Sequence, residues 1–82
     1  MSKDAGVQAV EFFLKRAEYS ATLAAQHCRD KQFDKGMNLY KEACGYLKKA
    51  DAAVPENADI KSKLEDVKIK YQDAKKMCEN PG

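Results

Sequence analysis

A chain of 82 residues is one domain by length, and on folding it hides only about 60% of its unfolded surface, so its core must be compact and regular. The residues are 44% hydrophobic and 34% charged, with two prolines, four glycines and no tryptophan, the profile of an ordinary soluble globular domain rather than a disordered one. Fifteen basic and thirteen acidic side chains give a net charge of +2, which excludes the concentrated positive field of a dedicated nucleic-acid binder, and no apolar run reaches the ~18 residues a membrane span needs.

The opening stretch, MSKDAGVQAVEFFLKRAE, has no basic flank, unbroken apolar run or small-residue cleavage site of the kind that marks a secretory signal, and it reads as cytoplasmic. From Val7 the apolar or small residues fall at Val7, Val10, Leu14, Ala17, Ala21, Ala24 and Cys28, in alternating steps of three and four. That spacing predicts an amphipathic helix over about residues 5–29. Three alanines on this seam allow a neighbouring backbone to come close. Phe12, Tyr19 and Leu23 lie off the seam at helical spacing, and either pack on a neighbour or line a groove.

The run CRDKQF interrupts the pattern and leaves Asp30 as the expected N-cap of a second helix over about 31–53. Its seam is Phe33, Met37, Tyr40, Cys44 and Leu47. A second stripe, Leu39, Ala43, Tyr46 and Ala50, is displaced from the first by about 100°. The middle helix of a bundle has two neighbours, so one stripe can meet the first helix and the other the third. Alternatively, part of the second stripe lines a shallow, alanine-floored groove beside the third helix. Two glycines interrupt this helix, each at about 1 kcal/mol relative to alanine. Gly36 is expected to pack closely on the first helix, while Gly45 equally fits a neutral exposed position.

The run VPENADI ends the second helix at or before Val54, because a residue preceding proline is pushed out of the helical region. Asn57 or Asp59 caps a third helix over about 58–79, with the seam Ile60, Leu64, Val67, Tyr71, Ala74 and Cys78. Ile69 stands outside that seam, on a flank with Glu65, Gln72 and Lys76. The terminal ENPG, from Glu79, reads as a stop, with residues 80–82 the start of a linker, as in the amino-terminal module of a longer chain. Short connections imply antiparallel neighbours, so the expected fold is all-α, a single antiparallel three-helix bundle.

Chemistry is sparse. There is no glycine-rich phosphate loop and no serine in a nucleophile motif. His27 adjoins Cys28, but successive helical residues point about 100° apart, which argues against a nucleophilic pair. Cys28, Cys44 and Cys78 are widely spaced, each on its own seam, and read as packed hydrophobes rather than a disulfide framework or zinc site. The expectation is a non-enzyme with no catalytic residue, metal or cofactor.

The stretch FDKGMNLYKEACGYLKKA resembles the second helix of microtubule-interacting and transport (MIT) domains, in which an opening aromatic residue, a small residue three later and a Leu-Tyr pair lead into repeated small residues. Here these are Phe33, Gly36, Leu39, Tyr40, Ala43, Tyr46 and Ala50. The three-helix layout is similar over nearly the whole chain, whereas the motif covers the middle helix alone. Gly36 stands where the family usually has alanine, and YQDAKK only loosely echoes the family's YLDRAE-like run.

The resemblance implies a monomeric module that captures short helical or extended protein tails, notably of ESCRT-III proteins, in grooves flanking the third helix. It places Leu39, Ala43, Tyr46, Ile69 and Gln72 in the groove between the second and third helices, with Ala50 and Lys76 completing the expected partner-binding set. Lysines in the third helix would suit an acidic tail better than one presenting arginine. The implied setting is cytoplasmic and endosome-associated, in membrane trafficking, without nucleic acid or direct membrane insertion. Two alternatives remain. Lys61, Lys63, Lys68, Lys70, Lys75 and Lys76 would bind tubulin tails or microtubules electrostatically, or the chain is a tetratricopeptide-like helical adaptor, a repeat that the second helix and VPEN also resemble.

Overall fold

The computed structural model describes the backbone of residues 2–79 and the side chains of residues 8–79. It contains three helices, α1 (Ser2–Arg29), α2 (Phe33–Ala53) and α3 (Ala58–Glu79), arranged as an antiparallel three-helix bundle. The expected linker at 80–82 and the side chain of Val7 lie outside the described residues. None of the described helices is long and apolar enough to cross a membrane.

α2 is the spine. It packs along both α1 and α3, while α1 and α3 barely meet each other. Small residues set the approach of α1 to α2. Ala17 and Ala24 of α1, and Gly36, Ala43 and Ala50 of α2, are all buried. A Cβ added to Gly36 would collide with Sγ of Cys28 and sit 3.1 Å from the carbonyl oxygen of Ala24. The expected reason for a glycine there is therefore realised: the first helix occupies the space of its side chain. Tyr40, Leu47, Leu64, Val67 and Ala74 complete the central cluster, and Ile60 is buried at its end. Among the described residues Ser20 is the one buried polar residue, and the periodic seam passes over it. No buried side-chain nitrogen or oxygen among the described residues lacks a hydrogen-bond partner.

The first connection departs from expectation. Asp30 does not cap α2, which begins at Phe33 with Gln32 in the cap position and no side-chain cap bond. Lys31 takes a left-handed conformation, φ 63°, and the amides of Lys31 and Gln32 donate to the carbonyls of Cys28 and His27 at 3.0 and 2.8 Å. This is the Schellman arrangement that closes a helix C-terminus, with lysine where glycine is usual. Asp30 is consumed in ending α1 and is no longer placed to begin α2. The His27 Nδ1 and Gln32 Oε1 atoms, 2.6 Å apart, tie the two sides of the turn together.

The second connection follows the sequence closely. Val54, before Pro55, leaves the helical region, and Asn57 Oδ1 accepts from the amide of Ile60 at 3.1 Å. Of the two cap candidates Asn57 is the one that bonds, a contact worth about 1 kcal/mol. Lys61 reaches back to Asp51 at 3.0 Å across the same connection.

Candidate functional site

The two apolar stripes of α2 are divided between its neighbours. The stripe Leu39, Ala43, Tyr46 and Ala50 turns toward α1. Ala43 and Ala50 are wholly buried, Leu39 packs against the core, and the Tyr46 ring stacks on Phe13 with centroids 6.4 Å apart. The Arg16 guanidinium lies 5.8 Å from the Tyr46 ring and 5.5 Å from that of Tyr19. These contacts remove Leu39, Ala43, Tyr46 and Ala50 from any open surface beside α3. Alanine-rich faces allow the closest approach of two backbones, and α1 offers the matching alanine seam. α3 carries Leu64, Val67 and Tyr71 instead and takes the side of α2 bearing Cys44.

An open groove does run between α2 and α3, on a different face of α2 from the alanine stripe. It has a volume of about 490 Å³ and is lined by Lys41, Cys44, Gly45 and Lys48 of α2 and by Lys68, Tyr71 and Gln72 of α3. Gln72 is the member of the expected set that lines it. Ile69 is 59% exposed and, nine residues after Ile60, points roughly opposite the buried seam. Lys76 is exposed and lies outside the lining. Gly45 lines the groove without a side chain, and a Cβ there would meet no neighbouring atom within 4 Å. That glycine, a neutral exposed position by sequence, borders this opening between α2 and α3.

Charge on this groove has one sign. Three of its seven lining residues are lysines and none is a carboxylate. The ion pairs among the described residues, Lys61–Asp51 and Lys70–Asp66, leave Lys41, Lys48 and Lys68 free. No acid stands four residues from any of the three; Asp51 is three residues from Lys48 and Glu65 three from Lys68, and Asp51 bonds Lys61 instead. On the floor, burial pushes the Cys44 thiol above its ordinary value despite the opposing influence of Lys48 and Lys68. Cys44 therefore presents a neutral, apolar surface at physiological pH.

A second groove, of about 330 Å³, opens where α1 and α3 fail to close against each other. Leu14, Ala17, Ala21, Leu47 and Val67 form its apolar floor, and its rim is balanced, with Glu18 and Asp66 against Lys63 and Lys70. Lys70 is already held by Asp66 at 3.2 Å. Compared with protein-family models, curated protein sequences and solved structures, the chain gives no significant match to any of the three.

The remaining reactive side chains are occupied structurally. His27 is engaged with Gln32, and Cys28 packs in the space that Gly36 leaves. Burial also raises the Cys28 thiol, so little of it is nucleophilic thiolate near neutrality. Phe12 and Tyr19, the leftover aromatics of α1, are both 56% exposed, on the outer face rather than in a groove beside α3.

Proposed function

We propose that this chain is a non-catalytic recognition module of MIT type, which binds a short tail of a partner protein beside α3 and so recruits a larger protein in membrane trafficking or remodelling. The observation that carries this reading is the open groove between α2 and α3, with Cys44, Gly45 and the Tyr71 ring as floor and lysines as rim. A helical tail would dock there by burying apolar anchors at helical spacing. The MIT-like pattern from Phe33 to Ala50 supports the same reading, although its apolar stripe serves the contact with α1. Affinity is expected in the micromolar range, because a free tail loses ordering entropy on binding to a small interface.

A second reading is favoured by the free lysines alone: electrostatic binding of acidic tubulin tails. Salt separates the two, since apolar anchoring weakens little between low and physiological ionic strength while polyanion binding falls steeply. The direct test is an amide NMR titration at physiological salt with ESCRT-III tail peptides and, separately, tubulin tail peptides. Saturable shifts at Cys44, Gly45, Tyr71 and Gln72 with an ESCRT-III tail are the expected result. Shifts confined to lysines with tubulin peptides would favour the second reading, and no saturable shift with either panel would remove the recognition function.

A further inference from the structure

We infer that the groove between α2 and α3 selects an amphipathic helix flanked by carboxylates, and discriminates against one flanked by lysine or arginine. The inference rests on the reading of this groove as the docking site and adds the chemistry of its occupant. Lys41 and Lys48 are seven residues apart on α2, so their stems rise from the same bank about 10.5 Å apart along the helix axis. Lys68 stands on the opposite bank. None of the three is neutralised by an ion pair, and no acid lines the groove.

A helix lying along this groove meets that pattern with carboxylates at i and i+7 facing α2, apolar anchors at i+1, i+4 and i+8 over Cys44, Gly45 and Tyr71, and a carboxylate on its far flank facing Lys68. The i, i+7 repeat brings two side chains to nearly the same face two turns apart, and because reversing the docked helix would turn that flank toward α3, the pattern also fixes its direction. Charge supplies selection while the apolar floor supplies retention. The groove between α1 and α3 lacks this bias, because Glu18 and Asp66 offset Lys63 and Lys70. Selection by sign is therefore a property of one groove and not of the whole surface.

The test uses the 82-residue chain and three fluorescent synthetic peptides of about 16 residues, measured by anisotropy at physiological salt. The first carries leucine anchors with glutamates at the flanking positions, the second the same anchors with lysines, and the third the glutamates with serine in place of leucine. The glutamate–leucine peptide should bind at least tenfold more tightly than the lysine–leucine peptide, given roughly twofold for each of three exposed charge pairs and the matching repulsion in the other case. The variant Lys41→Glu/Lys48→Glu/Lys68→Glu should reverse that order. Should this variant fail to fold by circular dichroism, Lys41→Gln/Lys48→Gln/Lys68→Gln should bring the two affinities within about threefold of each other.

Equal or tighter binding of the lysine–leucine peptide to the wild-type chain would overturn the selectivity while leaving groove recognition standing. Binding of neither leucine peptide would overturn the recognition reading itself. If the serine peptide binds as tightly as the glutamate–leucine peptide, the occupant is a simple polyanion and the amphipathic helix is excluded.

Discussion

Replacing Gly36 and Gly45 separately with alanine should have unequal effects on the stability of this domain, although both sit inside the same helix. Removing a glycine from a helix interior gains about 1 kcal/mol from backbone entropy, and both variants receive that gain. At Gly45 nothing opposes it, since a Cβ meets no atom within 4 Å, so Gly45→Ala should stabilise by about 1 kcal/mol. At Gly36 the new methyl collides with the Cys28 sulfur and stands 3.1 Å from a backbone oxygen that cannot rotate away. Overpacking of this kind costs about 1–3 kcal/mol, so Gly36→Ala should come out neutral to about 2 kcal/mol destabilised. The two variants should then differ by roughly 1–3 kcal/mol, or about 4–8 °C in Tm for each kcal/mol in a domain of this size. Urea and thermal unfolding followed by far-UV circular dichroism read both quantities. The added variant Cys28→Ala should recover part of the loss in Gly36→Ala, with a coupling of at least about 0.5 kcal/mol between contacting sites. If Gly36→Ala stabilised as much as Gly45→Ala, the close approach of α1 to α2 would be wrong.

Three further outcomes follow from the same geometry. Lys31→Gly should stabilise by roughly 1 kcal/mol in urea unfolding, because lysine holds a left-handed conformation there that glycine adopts without steric cost, and a loss of stability would contradict the closing turn of α1. Tyr46→Ala should cost roughly 2 kcal/mol through lost packing on Phe13 yet leave tail-peptide affinity within about twofold, whereas a tenfold loss of affinity in a folded variant would return Tyr46 to the binding surface. Burial raises Cys28 and Cys44 above the ordinary thiol value of 9.0 and Tyr40 above 10.0. The folded chain therefore holds these protons longer than the unfolded one. Their contribution to stability is fully present below about pH 9 and is lost as pH rises through the raised folded values. The urea midpoint should be flat from pH 7 to about 8.5 and decline above pH 9, less steeply in Cys44→Ala, and a midpoint rising with alkali would have the wrong sign.

The fold was legible because each helix declares its buried face by regular spacing and the breaks between them are chemically marked. Val54–Pro55 and Asn57 act where their residue types say they should. Asp30 misleads because an aspartate just before a helix is an equally good reader of two events, the end of one helix and the start of the next. The left-handed Lys31 that decides between them leaves no compositional trace, since glycine would have been the usual sign.

The site was less legible for a different reason. Apolar periodicity shows that α2 has two neighbours and does not say which stripe meets which. Alanine content held that information: the small stripe through Ala43 and Ala50 needs the small seam of Ala17 and Ala24 opposite it, which leaves Cys44 and its flank for α3. Gln72 lines the groove, while Ile69, as a branched apolar residue, drew attention to a face that looks into solvent. Lys48 and Lys68 were not legible as free lysines, since Asp51 and Glu65 stand three residues away and only the structure shows Asp51 bonded to Lys61.

The most direct test of the central claim is to obstruct the groove from a lining position whose side chain meets no core atom. Gly45→Trp adds an indole at the lip of the opening between α2 and α3 without entering the core, because Gly45 lines that opening and a Cβ there meets no neighbouring atom within 4 Å. Isothermal titration of wild type and variant with an ESCRT-III tail peptide that binds the wild-type chain should show at least a tenfold loss of affinity, with a Tm no lower than that of the wild type. Unchanged affinity in a folded Gly45→Trp variant would show that tails do not dock in this groove.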